Sequence, residues 1–255
     1  MTKNYAQGTP CWIDLGSTDV NEASRFYTTL FGWTVDDLGP ESGGYRIFRQ
    51  AGKQVAGLGP ATDPDRGTSW ATYFATSDAD KTAMKVAEHG GKVIVEPMDV
   101  MDQGRMAVFS DPSGAFFSVW EPRVHKGMEF IGGHGGLVWS ELYTTDIDTA
   151  KAFYTTVFSI STRDIHDDER QIEMAYSLLE VNGQSVAGMM KSPNNTPSWG
   201  VYFAVDDLDT AADKAIELGA KELFRQDSPP GRMAGLVDPQ GGIFSLIKPN
   251  PDFVA

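Results

Sequence analysis

Two short segments carry the side chains best suited to chemistry. Trp12-Ile13-Asp14 and Trp139-Ser140-Glu141 each set an indole two residues ahead of a carboxylate. In an extended strand that spacing puts both groups on one face. A carboxylate among apolar neighbours is costly to ionise unless it is paired or hydrogen-bonded, and otherwise its pKa rises. Asp14 and Glu141 are therefore candidate general bases near neutral pH. Three other roles stay open for them. They could pair with Arg105 or Arg232, from a Gly-Arg-Met-Ala segment that occurs twice, bond Tyr73 or Tyr202, or anchor a ligand. Trp12 and Trp139 are either apolar filler or a stacking wall for a flat ligand.

Strand alternation supplies the companions of these groups. In WGVYFAV, Val201, Phe203 and Val205 form an apolar face expected to meet a helix. Gly200, Tyr202 and Ala204 then take the other face, and Ala71, Tyr73 and Ala75 match them. On the first strand Ile13 and Leu15 turn toward the helix and leave Trp12 and Asp14 opposite. Near the end of each half, Ser118 lies with Phe116 and Trp120, and Ser245 with Ile243 and Ile247. The candidate ligand-binding set is thus Trp12, Tyr73, Phe116, Ser118, Trp120, Trp139, Tyr202 and Ser245. A slip of one residue in register would turn all of them outward. Neither serine has a His in a pattern that would make a triad. Cys11 reads as a small buried apolar residue. No G-x-G-x-x-G follows a strand, so no nicotinamide or flavin is expected, and no cofactor is assigned.

These candidates come in pairs because the chain repeats itself. Residues 10–33 align with 137–160 at an offset of 127, with ten identities in 24 positions. Residues 104–122 align with 231–249 at the same offset, again with ten identities. WATYFATSD (70–78) matches WGVYFAVDD (199–207), and GKQVAGL (52–58) matches GQSVAGM (183–189). A period this long makes each half a domain rather than a solenoid unit. The expected domains are 1–123 and 137–255, with 124–136, centred on Gly132-Gly-His-Gly-Gly136, as a plain linker.

Each half reads as strand, helix and two strands, then the same again. Asp19 with Glu22 three residues on opens a helix that Gly32 stops. Asp78 or Asp80 caps a second, and helices recur near 147–158 and 207–218. The turns Asp111-Pro-Ser-Gly114 and Asp238-Pro-Gln-Gly241 join the last two strands of each half.

The length of 255 residues and 41% hydrophobic content suit a sizeable core. With 21 Lys and Arg against 35 Asp and Glu, the net charge of −14 argues against a nucleic-acid partner. A single cysteine excludes an internal disulfide and a thiolate zinc site. The opening MTKNYAQGTP lacks the apolar stretch of a signal peptide, and no run of about 18 apolar residues occurs. A cytoplasmic protein without a membrane partner is expected.

The motifs x-x-D-x-x-x-A-x-x-FY-x-x-x-F near the start of each half and D-P-x-G-x-x-F-S near its end resemble those of the vicinal-oxygen-chelate superfamily. That superfamily contains glyoxalase I, extradiol dioxygenases and bleomycin-resistance proteins. The likeness covers nearly the whole chain and is strongest to two-domain actinobacterial members, among them a mycobacterial culture-filtrate antigen and proteins labelled hydroxylases of polyketide pathways. It implies an α+β fold of four βαβββ modules in two cup-shaped mixed sheets, with helices on the convex faces. It also implies where metal ligands would fall: Trp12, Gly57, Ala71 and Ser118 in the first half, and Trp139, Gly188, Gly200 and Ser245 in the second. None is His or a carboxylate, as a divalent ion of this class needs. His89, His125, His134 and His166 fall near a helix end, in the linker or in a loop, and His166-Asp-Asp-Glu169 reads as a solvated run.

The leading expectation is therefore a metal-independent protein that holds a small planar or aromatic metabolite. The alternatives are a metal-independent tailoring enzyme with Asp14 or Glu141 as base, and a metal-dependent lyase or dioxygenase. The expected oligomeric state is a monomer, as an internal pseudo-dimer, or a homodimer.

Overall fold

The computed structural model describes residues 4–63, 65–167 and 172–253. After β1 (Pro10–Ser17), Asp19 accepts the backbone N–H groups of Asn21 and Glu22 at 3.0 Å and starts α1 (Val20–Phe31). Gly32, at φ 72°, takes the left-handed conformation that closes it. Ala23, Phe26, Tyr27 and Leu30 form its buried stripe. β2 (Thr34–Asp37), β3 (Arg46–Gln50) and β4 (Lys53–Pro60) complete the module. The second module is β5 (Ser69–Ala75), α2 (Ala79–Glu88), β6 (Lys92–Val100), β7 (Gly104–Ser110) and β8 (Phe116–Pro122). The third is β9 (Leu137–Thr144), α3 (Ile147–Phe158), β10 (Ser161–Asp167), β11 (Ile172–Val181) and β12 (Gln184–Lys191). The fourth is β13 (Ser198–Ala204), α4 (Leu208–Glu217), β14 (Lys221–Ser228), β15 (Gly231–Val237) and β16 (Ile243–Pro249).

All four modules are βαβββ, and two tandem domains of an α+β fold result. The strands form two eight-stranded mixed sheets, ordered β2-β3-β4-β1-β5-β8-β7-β6 and β10-β11-β12-β9-β13-β16-β15-β14. β1 runs parallel to β4, β5 to β8, β9 to β12 and β13 to β16. Hydrophobic periodicity did not place the strand that follows each helix, and β2 and β14 show why. Every residue of β2 is exposed and β14 is exposed along most of its length, so neither carries the alternation that marks a half-buried strand.

By packing, the chain divides into two compact units that do not follow the sequence halves. One comprises Met1–Cys11, Thr72–Gly127 and Trp139–Trp199; the other comprises Trp12–Ala71, Met128–Val138 and Gly200–Ala255. Each joins one module from either half of the repeat. In the first unit the core runs from Phe74, Val86, Phe109 and Phe117 to Phe153, Tyr154, Phe158 and Trp199. In the second, Phe26 and Tyr27 meet Phe244 edge to face, while Phe31, Trp33 and Trp70 pack on Phe203. Helices carrying apolar stripes thus bury them against the partner module within their unit.

The glycine-rich segment before β9 is more than a connector. Gly135 N–H donates to the Ala204 carbonyl at 2.8 Å and Ala204 N–H to the Gly136 carbonyl at 2.9 Å. Gly8 and Thr9, 127 residues earlier, bond Ala75 in the same way, at 2.9 Å in both directions. Gly8 and Gly135 have φ of 78° and 75°, and a Cβ would overlap Phe158 and Ile160 at the first and Phe31 and Trp33 at the second. Residues 135–136 thus repeat the pairing made by residues 8–9.

Candidate functional site

β1 buries Ile13 and Leu15 completely and leaves Asp14 half-buried between them, as alternation requires. Within the same unit, Tyr45 just before β3 brings its hydroxyl to Asp14 and donates to Oδ1 at 2.5 Å. Trp12 Nε1 donates to the same oxygen at 2.6 Å and lies 3.1 Å from the Tyr45 hydroxyl. Indole, phenol and carboxylate form one hydrogen-bonded triad.

The other unit builds its own version. Tyr176 on β11 donates to Glu141 Oε2 at 2.9 Å and accepts from Trp139 Nε1 at 3.1 Å. Here the acid is buried, only 5% exposed, and Oε1 has no hydrogen-bond partner. Burial pushes the Glu141 carboxyl up to about 8, against the opposing pull of the Tyr176 hydroxyl and the nearby Trp139 N–H.

Both triads rest on a glycine. Asp14 faces Gly57 across the parallel β1–β4 ladder, and Glu141 faces Gly188 across β9–β12. A Cβ at Gly57 would overlap the Tyr45 hydroxyl and the Asp14 carboxylate; one at Gly188 would overlap the Tyr176 hydroxyl and Glu141 Oε1. Sequence reasoning missed Tyr45 and Tyr176, although a signal existed. They stand 131 apart, the offset that relates Gly57 to Gly188.

The remaining candidates are placed as follows. Tyr73 pairs in register with Ser118, and Tyr202 with Ser245, on parallel neighbouring strands. All four are buried. Trp120 is buried too, and its Nε1 donates to the His125 carbonyl at 2.9 Å, which ties down the chain after β8. Phe116 is half-buried at the start of β8, and Ile243 is 60% exposed.

Arg105 and Arg232 are not the partners of the two acids. Arg105 holds Asp80 at 2.9 Å and Asp99 at 3.0 Å, and Arg232 holds Asp209 and Asp227 at 3.0 Å. The repeated Gly-Arg-Met-Ala segment begins β7 and β15, where its arginine meets the acidic first turn of the neighbouring helix instead. Cys11 is buried, and burial pushes its thiol up, out of reach of a reactive thiolate at neutral pH. His89 caps α2, and His125 and His134 lie between β8 and β9. His166 belongs to β10 rather than a loop; Asp168 and Glu169 lie outside the described residues.

The donor set does not suit a divalent cation of the kind this fold often holds. Each triad offers one carboxylate, an indole N–H and a phenol, and the nearest facing backbone belongs to a glycine whose Cβ has no room. Among the described residues, no three of His, Cys, Asp and Glu converge. No helix among them is long and apolar enough to cross a membrane.

Known proteins share this architecture. The family model for the glyoxalase/bleomycin resistance protein/dioxygenase superfamily matches residues 11–119, and that for a glyoxalase-like domain matches 139–247. The chain is 39% identical to the anthracycline biosynthesis protein DauV of Streptomyces sp. strain C5, across 97% of this chain and 95% of that one. It is 38% identical to a Mycobacterium bovis protein named "Putative glyoxylase CFP32", across 97% of each. Among solved structures, the Mn(II)-bound glyoxalase of Novosphingobium aromaticivorans superposes with a TM-score of 0.65 at 20% identity, covering 95% of this chain and 83% of its own. A catechol 2,3-dioxygenase superposes at 0.64 with 12% identity, covering 97% and 91%. At such identities these two likenesses concern the fold alone.

Proposed function

Since the chain belongs to the glyoxalase/bleomycin resistance protein/dioxygenase superfamily, we propose that it binds a small planar or aromatic metabolite without a metal ion, on the sheet faces that carry the two triads. The observation behind this reading is the Trp–Tyr–acid cluster, built twice at positions related by the repeat. An indole edge and a phenol beside an acid suit a flat ring with polar substituents: the aromatic groups offer stacking area and the acid fixes orientation. Relatedness at 39% identity to a protein of anthracycline biosynthesis supports a polycyclic aromatic ligand. Titration of flat aromatic compounds, followed by Trp fluorescence, tests the reading. Saturable quenching that is lost in Trp12→Ala or Trp139→Ala is expected; unchanged binding in both variants would sink it.

A second reading has one observation in its favour. A carboxyl pushed up to about 8, as Glu141 is, can exchange a proton near neutral pH. On that reading the protein is a tailoring enzyme that moves a proton on its aromatic substrate, with Asp14 or Glu141 as the acid–base group. Deuterium uptake from solvent at the carbon next to an aryl ketone would register it. A full rate in the Asp14→Asn, Glu141→Gln double variant would dispose of it.

A further inference from the structure

The two triads are chemically unlike, and the difference points to a ligand class. In the first, Oδ1 of Asp14 takes both the Tyr45 and the Trp12 donors, and the residue is half-exposed. In the second, the known donors of the cluster end on Tyr176 and on Oε2 of Glu141, while Oε1 is buried and has no partner. That orphan oxygen lies so close to Gly188 that a Cβ there would overlap it. A buried carboxyl oxygen left without a partner costs free energy until something bonds it.

Which kind of group can satisfy it follows from counting protons. Tyr176 O–H is already spent on Oε2, so when Glu141 carries a proton that proton belongs on Oε1. Around it, β11 supplies Tyr176, β12 supplies Gly188, and β9 itself supplies Trp139. We propose that Glu141 Oε1 is the donor for a carbonyl oxygen of the ligand, so that the second-half site selects aryl ketones, aldehydes or quinones over hydrocarbons of the same shape. This deepens the binding reading above and rests on it. The neutral state it needs fits a carboxyl that titrates near 8.

The test uses the full chain and two probes of matched shape, 2-acetylnaphthalene and 2-ethylnaphthalene, with affinity measured by Trp fluorescence and calorimetry. At pH 6.5 the ketone is expected to bind about tenfold more tightly, the worth of one buried hydrogen bond. That advantage is expected to fall away above about pH 8, where Glu141 ionises. Glu141→Gln, which keeps an N–H donor, retains the advantage and loses its pH dependence; Glu141→Ala loses the advantage altogether. Equal affinities of the two probes overturn the proposal and leave aromatic binding standing. A ketone advantage that grows above pH 8, or one abolished by Asp14→Ala and not by Glu141→Ala, also overturns it. If neither probe binds at any pH, the binding reading itself fails and this proposal goes with it.

Discussion

The Tyr27 hydroxyl donates to Oδ2 of Asp238 at 2.8 Å, a bond between residues 211 apart in the chain. Its repeat counterpart joins Tyr154 to Oδ2 of Asp111 at 3.1 Å. Each tyrosine also accepts an indole N–H, from Trp70 at 3.0 Å and Trp199 at 2.9 Å. Each aspartate uses its other oxygen to gather the backbone N–H groups of its own D-P-x-G turn. The Phe-Tyr pair and the D-P-x-G turn, far apart in sequence, are therefore two ends of one buried network. It connects a helix of one half to the final hairpin of the other, inside a single packing unit.

Tyr27→Phe should be costly for that reason. It leaves the Asp238 carboxylate and the Trp70 indole short of a partner in a site where both are buried. A loss of about 1–3 kcal/mol is expected, with the urea midpoint falling and the m-value unchanged. A double-mutant cycle with Asp238→Asn should show coupling; strict additivity would mean the bond contributes nothing.

Much of this arrangement was legible in the sequence, and the gaps have physical causes. The helix cap at Asp19 follows from local chemistry and is observed, and of Asp78 and Asp80 it is Asp78 that caps α2. The face of β1 follows from alternation, with Ile13 and Leu15 fully buried and Asp14 half-buried between them, whereas in β13 both Phe203 and Tyr202 are buried and burial does not separate the faces. Tyr45 opens the segment YRIFRQ, read as a strand, and stands one residue ahead of β3; its reach to Asp14, 31 residues away, is set by the fold and not by spacing. The partners of Arg105 and Arg232 were misjudged because a long guanidinium arm reaches whichever acid the fold brings close. Asp80 and Asp209, in the first turns of α2 and α4, are nearer to β7 and β15 than any residue spacing reveals.

Those arginine pairs yield a contrasting prediction. Their acidic partners are exposed, from 49% to 81%, so water screens the attraction. Arg105→Gln and Arg232→Gln should each leave the urea midpoint nearly unchanged. Neither should alter affinity for an aromatic probe, since neither arginine reaches a triad. A large loss of binding in either variant would contradict that placement.

Gly57→Ala and Gly188→Ala test how tightly each triad is seated. The added methyl would occupy the space of the tyrosine hydroxyl and the acid, so both must move. Overpacking of this kind costs about 1–3 kcal/mol. Chemical denaturation should register that loss in both variants. In Gly188→Ala the displaced Tyr176 should also lose its bond to Glu141, visible as a changed tyrosine hydroxyl exchange rate by NMR. Wild-type stability in both would show that the glycines are incidental.

The last prediction concerns pH. Glu141 has a folded-state pKa raised from 4.5 to about 8, because the buried site penalises its charge more than Tyr176 and Trp139 favour it. The folded state therefore holds a proton that the unfolded chain releases. Between those two values the folded protein binds more protons, so stability falls as pH rises. The contribution is complete below about pH 4.5, declines by roughly 1 kcal/mol per pH unit, and levels off above about 8. Glu141→Gln cannot ionise and should remove this slope, so the difference in unfolding free energy between the variant and the parent should grow in the variant's favour from pH 5 to pH 8. Urea denaturation at closely spaced pH values measures it. A difference that stays constant across that range would mean Glu141 is ionised in the folded protein, and would remove the proton on which a bond to a ligand carbonyl depends.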